Sequence, residues 1–169
     1  MNKILKERIL KGVVTRHIAP VSIHQAESAG LELKRLIIKR FGRSLHIRGV
    51  DTGSCSGCES EIISASNPIY DIQRFGINFV ASPRHADALL VTGPVSKNMV
   101  IALKKTYDAM PEPKFVITLG GCAFDGGVFK DSYYVESGVK DILPVTLHIP
   151  GCPPTPTAII SSLSAFVSK

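Results

Sequence analysis

The four cysteines are the residues with the most evident chemistry in this sequence. Cys55 and Cys58 form a CxxC pair within a run of glycine and serine, while Cys122 and Cys152 each directly follow a glycine. Buried structural cysteines usually lie inside apolar runs, where they act as small hydrophobic side chains. None of these four does, so the pattern predicts one site of four thiolates that three turn-like loops supply.

Alternating strands and helices must bring those loops together. The apolar and turn patterns predict strands over residues 45–50, 76–81, 88–92, 114–119 and 145–149, and helices over residues 59–66, 99–110 and 155–167. Residues 120–141 are predicted to form a long loop with one short helical turn. Two of the strands are almost wholly apolar, as in parallel sheets covered by helices on both faces. We therefore predict an α/β fold with a flavodoxin-like open parallel sheet and helices on both faces.

Each cysteine lies just after the end of a predicted strand. Cys55 and Cys58 follow the first strand, Cys122 follows the fourth and Cys152 follows the fifth. In an open α/β sheet the carboxyl ends of the parallel strands share one edge, and ligands bind there. We therefore expect the four thiols to converge at that edge.

The spacing of the cysteines favours one kind of bound group. Thiolate-only sites bind zinc or iron–sulfur clusters. Structural zinc sites of this type usually combine two close pairs, whereas here single cysteines follow the CxxC pair after 64 and then 30 residues. We predict a [4Fe–4S] cluster, with zinc and a redox dithiol as the alternatives.

Composition limits the classes of protein to which the chain can belong. Its 169 residues fit one domain, and no stretch of about 18 uninterrupted apolar residues is present to span a membrane. The first residues lack the apolar core of a secretory signal. We therefore expect a cytoplasmic chain, in which thiols stay reduced and bind metal more often than they form disulfides.

The net charge of +6 is unevenly distributed. Residues 1–50 contain 11 Lys and Arg against 3 Asp and Glu, a balance of +8, and residues 51–169 contain 9 against 11, a balance of −2. We predict a basic N-terminal extension over residues 1–43 and an α/β domain that binds the [4Fe–4S] cluster over residues 44–169. A nucleic-acid-binding protein would carry basic and aromatic residues on the functional body. We expect no nucleic-acid partner, and keep a zinc-stabilised nucleic-acid-binding domain as the alternative from another class.

The extension is predicted to contain amphipathic helical segments. Leu33, Leu36, Ile37 and Phe41 recur at helical spacing, with basic residues away from that stripe. Such a helix can lie on an anionic membrane surface or dock against a partner, and it can equally pack on its own domain. The sequence leaves both interpretations open.

Six segments, in order, resemble the small subunits of membrane-bound (group 4) [NiFe] hydrogenases of the formate hydrogenlyase and hydrogenase-4 type, which are related to the B (20 kDa) subunit of complex I. The resemblance covers about residues 45–160. Complex I B subunits typically carry adjacent cysteines where this chain has CxxC, so the spacing favours a hydrogenase. The segments are Gly53-Ser-Cys-Ser-Gly-Cys-Glu59, Tyr70-Asp-Ile-Gln-Arg-Phe-Gly76, Ser82-Pro-Arg-His-Ala-Asp87, Leu90-Val-Thr-Gly93, Gly120-Gly-Cys-Ala123 and Ile149-Pro-Gly-Cys-Pro-Pro-Thr-Pro156.

The resemblance implies a function in electron transfer. By similarity, Cys55, Cys58, Cys122 and Cys152 hold one proximal [4Fe–4S] cluster, which relays electrons between ferredoxin-like [4Fe–4S] subunits and the [NiFe] large subunit. The catalytic metals belong to the large subunit, so this chain has no catalytic residue of its own. Integral membrane subunits would complete the complex and place the chain peripherally on the cytoplasmic face of the membrane. The alternative is a complex I B-type subunit of a quinone- or other acceptor-reducing oxidoreductase.

Four further residues are candidates for a second shell around the cluster. Glu59 adjoins the CxxC loop, where it could assist proton movement or partner contact, or simply be an acid favoured at a helix N-terminus. Arg74, Arg84 and His85 lie in the shared motifs and could ease addition of an electron. Arg84 could instead form a surface ion pair with Asp87. A last histidine, His148, lies inside a predicted strand and is expected to be a satisfied core residue.

Overall fold

The computed structural model of the chain describes residues 23–168, so residues 1–22 of the predicted extension lie outside the described residues. The described residues form seven strands: β1 (Leu45–Asp51), β2 (Ile77–Phe79), β3 (Ala88–Thr92), β4 (Val95–Ser96), β5 (Phe115–Leu119), β6 (Val135–Ser137) and β7 (Leu147–Ile149). Five of them make a wholly parallel sheet in the order β2-β1-β3-β5-β7. Numbered within the sheet, this is the 2-1-3-4-5 order of flavodoxin-like folds, and the predicted fold class is confirmed.

Helices cover both faces of the sheet. They are α1 (Ile23–Phe41), α2 (Gly57–Ala65), α3 (Val100–Asp108), α4 (Gly121–Asp125) and α5 (Pro156–Val167). The side chains of β3 show the two layers, because all five of its residues are buried and alternate between faces. Ala88 and Leu90 pack into the core that includes α1 and α5, and Leu89 and Val91 pack into the core that includes α3.

Helix α1 packs against its own domain. Leu33 and Ile37 of the predicted apolar stripe are fully buried, and they belong to the same core as β1 and α5. Gly30 lies so close to the ring of Phe75 that a side chain at this position would displace it. Of the two interpretations open for residues 31–41, the structure therefore favours packing on the domain over a membrane-facing helix.

The last helix begins as the sequence predicts. Thr155 is the N-cap of α5, where its Oγ1 accepts a hydrogen bond from the backbone N–H of Ala158 at 3.3 Å. Pro156 occupies the first helical turn, where its missing N–H costs no helical hydrogen bond. Among residues 23–168, the helices include none that is long and apolar enough to cross a membrane.

The region of residues 120–141 contains more structure than the predicted loop. It includes α4 and β6, and β6 pairs antiparallel with β4 in a separate two-stranded sheet. The backbone N–H of Lys97 donates to the carbonyl of Tyr134 at 2.9 Å and extends this pairing. The sequence did not reveal β4 and β6 because each contains a single apolar residue, so neither shows the alternation or the apolar run by which strands are recognised.

Replacing Ile37 tests whether α1 is part of the domain. Ile37→Ala should lower the free energy of unfolding by about 2–5 kcal/mol, because it leaves a cavity in a closed core. Ile38→Ala is the matched control, since Ile38 is 56% exposed, and it should change the free energy by less than about 0.5 kcal/mol. Chemical denaturation followed by circular dichroism measures both, and equal small effects would show that α1 does not pack on the sheet.

Candidate metal centre

The four cysteines line one cavity at the carboxyl edge of the sheet, as predicted. Cys55 lies between β1 and α2, Cys58 lies in the first turn of α2, Cys122 lies in the first turn of α4 after β5, and Cys152 follows β7. We call this space the cysteine cavity. Its volume is about 60 Å³, several times the roughly 10–15 Å³ that one water molecule needs on the same measure. It therefore has room for a group of several atoms.

Local hydrogen bonds shape the loop that carries the CxxC pair. The Oδ1 of Asp51 accepts from the backbone N–H groups of Gly53 at 2.8 Å and Ser54 at 2.7 Å, which forms a tight turn directly after β1. The hydroxyl of Ser54 then donates to Oε2 of Glu59 at 2.7 Å and accepts from the backbone N–H of Ser56 at 3.0 Å. These bonds hold the loop between the strand and α2.

Thr52 anchors that loop to the neighbouring strand, a role that sequence reasoning missed. Its side chain is fully buried, and Oγ1 lies 2.9 Å from the carbonyl oxygens of both Thr92 and Gly93. The Thr52 backbone N–H also donates to the Thr92 carbonyl at 3.0 Å. The one signal in the sequence was a polar residue between a strand and the first cysteine, which identifies no role by itself.

Gly120 leaves the space that the sulfur of Cys58 occupies. Its φ is +85°, and a Cβ at this position would lie 2.9 Å from Sγ of Cys58, closer than real contacts allow. The next residue, Gly121, has no heavy atom within 4 Å of where its Cβ would be. Two adjacent glycines therefore have different functions, and only the first is required by the cysteine cavity.

The cavity disfavours free thiolates. Burial raises the pKa of Cys58 to about 11, with further contributions from the negative charges of Glu59 and the other three cysteines. Burial also raises the pKa of Cys122, followed by the charge of Cys152, while a hydrogen bond from the Val128 backbone acts in the opposite direction. Metal ligands must be deprotonated, so a positively charged group in the cavity would offset these costs.

The four thiols line one cavity, and the side chains of Cys122 and Cys152 are hydrogen-bonded to each other. Among residues 23–168 there is no group of three or more His, Cys, Asp or Glu side chains placed to hold a metal ion. In a tetrahedral zinc site each sulfur lies about 2.3 Å from the metal, which puts the sulfurs roughly 3.8 Å apart. The side chains of the described residues therefore do not form a closed tetrahedral site.

The structure places one of the four candidate second-shell residues beside the cavity. Glu59 follows Cys58 in the first turn of α2, where it influences the pKa of that thiol. Arg74 precedes β2, with its guanidinium 4.6 Å from the ring centroid of Phe75. Arg84 and His85 precede β3. Because the cavity lies at the carboxyl ends of the strands, these three residues lie at the opposite end of the sheet and are not brought to it.

His148 is a paired residue of β7, as predicted, although it is only half-buried. Its Nδ1 lies 3.0 Å from Oγ1 of Thr118, and its ring stacks on Phe124 with a centroid distance of 4.4 Å. Burial lowers the pKa of His148, which favours the neutral ring. Its hydrogen bond and stacking account for the side chain without a ligand role.

The fold is an open α/β sheet whose carboxyl edge carries one cavity lined by all four cysteines. The family described as NADH ubiquinone oxidoreductase, 20 kDa subunit, matches residues 55–166. The chain belongs to this family of oxidoreductase subunits. The resemblance to group 4 hydrogenase small subunits and the complex I B subunit is confirmed.

Named relatives include hydrogenase subunits. The chain is 41% identical over 160 residues to formate hydrogenlyase subunit 7 of Escherichia coli, which covers 95% of this chain and 60% of that subunit. It is 44% identical over 133 residues to the probable membrane-bound hydrogenase subunit mbhJ of Pyrococcus furiosus, covering 79% of this chain and 80% of the relative. The chain thus spans less than two thirds of the length of the bacterial relative and most of the length of the archaeal one.

A solved structure supports the fold. A chain of the membrane-bound sulfane sulfur reductase, an archaeal respiratory membrane complex, superposes with a TM-score of 0.67 at 30% identity. The match covers 81% of this chain and 75% of that one. The chain is therefore similar to subunits of membrane complexes that are named for different reactions.

The pKa of Cys58 predicts the order in which the thiols react in the metal-free chain. Thiolates are the reactive form, so alkylation of Cys58 should stay slow at pH 8 and accelerate only as the pH approaches 11. Exposed Cys55 and Cys152 should react at pH 8. Mass spectrometry after timed alkylation measures the order, with the denatured chain as control. Equal rates at all four positions in the folded chain would contradict the buried position of Cys58.

Proposed function

We propose that this chain is the electron-transfer small subunit of a membrane-bound [NiFe] hydrogenase complex, and that its four cysteines hold one [4Fe–4S] cluster. The observation that carries the proposal is the convergence of Cys55, Cys58, Cys122 and Cys152 on one cavity from three separate loops. When bound, such a cluster supplies a one-electron carrier whose potential depends on its surroundings. The hydrogenase relatives support the assignment of the reaction.

The donor set fits this cofactor better than it fits zinc. All the donors are cysteines, which suit iron–sulfur clusters, and the cavity is larger than a single ion requires. Gly120 removes the side chain that would otherwise contact the Cys58 sulfur.

Residues of this chain would tune the potential of the bound group. The backbone N–H of Val128 forms a hydrogen bond with the Cys122 sulfur, and hydrogen bonds to cluster sulfurs influence the potential. Glu59 adds negative charge beside Cys58, and its Oε1 is buried without a hydrogen-bond partner among the described residues. We expect the hydrogen bond from the Val128 N–H to favour the reduced state of the cluster, and the Glu59 carboxylate to disfavour it.

Exposed apolar side chains near Cys122 indicate where the catalytic subunit docks. Val128 is 83% exposed and Tyr133 is 77% exposed, and Phe129 and Tyr134 are exposed as well. Large exposed apolar and aromatic residues are typical of protein interfaces. Since the Val128 backbone contacts the Cys122 sulfur, this surface adjoins the cysteine cavity. We propose that the [NiFe] large subunit covers it and so comes within electron-transfer reach.

The remaining partners follow from the complexes to which the relatives belong. We propose a ferredoxin-like [4Fe–4S] subunit as the second electron-transfer partner, and integral membrane subunits as the anchor. The chain would then be peripheral on the cytoplasmic face of the membrane. Its described helices include none able to span a membrane, in agreement with attachment through partners.

The sulfane sulfur reductase supports a second candidate within the same family. That relative is 30% identical and belongs to a respiratory complex named for a different acceptor, so an acceptor- or quinone-reducing complex is the alternative. The co-purified large subunit distinguishes the two. Two CxxC pairs that can bind nickel in that subunit would support the hydrogenase, and their absence would rule it out.

Two adjacent glycines provide a matched test of the cysteine cavity. Gly120→Ala should reduce the iron bound per folded chain by more than half, because the new Cβ displaces the Cys58 sulfur and strains a positive φ. Gly121→Ala adds the same methyl group where no atom lies within 4 Å, and it should keep its iron. Iron analysis and circular dichroism after anaerobic purification measure cofactor and fold. Equal iron in both variants would contradict the proposed site.

Removing one ligand tests the proposed function of the whole complex. Cys122→Ser should reduce hydrogen evolution to near background, because an electron carrier with three thiolates is lost or damaged. Co-purification of the large subunit shows whether the complex still assembles, and gas chromatography measures the hydrogen. Full activity in an assembled complex would show that Cys122 holds no required group.

A further inference from the structure

A second pocket lies at the end of the sheet opposite the cysteine cavity. It has a volume of about 350 Å³, is open to solvent, and lies at the amino ends of β1 and β3. We call it the amino-end pocket. Its lining residues are Arg43, His46, Arg84, His85, Asp87 and Pro111. Five of these six side chains are ionisable, and four of those five are basic.

The one acidic side chain of the pocket is already occupied. Asp87 accepts hydrogen bonds from the guanidinium of Arg43 at 2.7 and 2.9 Å, and from the backbone N–H of His46 at 2.9 Å. Only 15% of its side chain is exposed. The bidentate pair balances the charges of Asp87 and Arg43 and holds them in place. The surface pair suggested between Arg84 and Asp87 is therefore not formed.

Arg84 supplies a positive charge that nothing in the described residues offsets. Its side chain is exposed and has no hydrogen-bond or ion-pair partner among residues 23–168. The backbone beneath it is fixed, since the N–H of Arg84 donates to Oγ of Ser82 at 3.3 Å and Pro83 begins the short helical turn. A free guanidinium on a fixed turn is a ready donor to an oxyanion.

Of the two histidines, His85 can add a donor to the pocket, whereas the ring proton of His46 is already used. Nδ1 of His46 lies 3.1 Å from the backbone carbonyl of His85. Because a carbonyl oxygen only accepts, we assign the proton of His46 to Nδ1, which leaves Nε2 as its free ring nitrogen. The ring of His85 has no partner among residues 23–168. A neutral histidine ring carries one N–H, so His85 can donate to a ligand of the pocket from either ring nitrogen, according to its tautomer.

We propose that the amino-end pocket binds a phosphate-type oxyanion. Its free donors are the side chains of Arg84 and His85 on the turn before β3, and the paired Arg43 lines the same pocket. A phosphate group suits these donors better than a carboxylate, because it carries more negative charge and three acceptor oxygens. The same chemistry is presented by free phosphate and by the headgroup of an anionic phospholipid. This site is separate from the cysteine cavity, and Arg84 is the residue that contributes most to binding the oxyanion.

Titration of the full chain with inorganic phosphate tests the proposal. Calorimetry at constant ionic strength should show saturable binding at one site, and Arg84→Gln should weaken it by at least about tenfold, the typical effect of a charged hydrogen bond. Arg35→Gln is the matched control, because Arg35 lies on α1, is 74% exposed and pairs only with Glu32 among the described residues. It should weaken binding by less than about twofold.

Co-sedimentation with vesicles identifies the source of the phosphate group. If the chain co-sediments with phosphatidylglycerol vesicles, and Arg84→Gln reduces the co-sedimented fraction more than Arg35→Gln does, the ligand is a lipid headgroup. If inorganic phosphate binds through Arg84 but vesicles do not, the ligand is a free phosphate. Absence of saturable phosphate binding, or equal losses in both variants, overturns the proposal. If the unsubstituted chain binds no phosphate and the complex that carries Arg84→Gln loses a partner subunit, the proposal is also overturned. Arg84 would then pair with an acidic side chain of that subunit.

Discussion

The parallel register of β1, β3, β5 and β7 is the constraint on which the cysteine cavity depends. Parallel pairing makes these strands end at one edge, and the loops that follow them begin there. Backbone hydrogen bonds then join the loops, since Gly120 donates to the Ile149 carbonyl at 2.8 Å and Gly121 to the Gly151 carbonyl at 3.1 Å. The four thiols therefore meet although 97 residues of sequence separate the first from the last.

The strand direction also places two pockets at opposite ends of one small domain. Thiols, glycines and exposed apolar side chains lie at the carboxyl ends of the strands, beside the cysteine cavity. Basic side chains lie at the amino ends, where Arg43 and Arg84 line a separate pocket. The sheet holds the two sites apart because its central strand β3 is buried on both faces. Changes at one end should therefore leave the other end intact.

Much of this arrangement could be predicted from the sequence, for identifiable reasons. The apolar runs of β3 and β5 revealed central strands, and the position of each cysteine after a strand revealed the shared edge. Arg84 and His85 lie before the predicted strand of residues 88–92, so the rule that placed the cysteines at the carboxyl edge places these two residues at the opposite edge; only the family motifs suggested them for the cluster. Thr52 was missed as a positioning residue, and the close contact between Gly120 and Cys58 was not foreseen, since both depend on residues distant in sequence. The short pairing of β4 with β6 left no alternation to detect.

The central claim is that the cysteine cavity holds one [4Fe–4S] cluster, and the iron and sulfide content tests it directly. Anaerobically purified complex should contain iron and acid-labile sulfide in equal amounts, about four of each per chain of this subunit after the clusters of its partners are subtracted. Expression of the full chain alone, followed by cluster reconstitution and Mössbauer spectroscopy, gives the same count without that subtraction. Four equivalents of iron in a cubane spectrum would support the account. One equivalent of zinc, with neither iron nor sulfide, would contradict it.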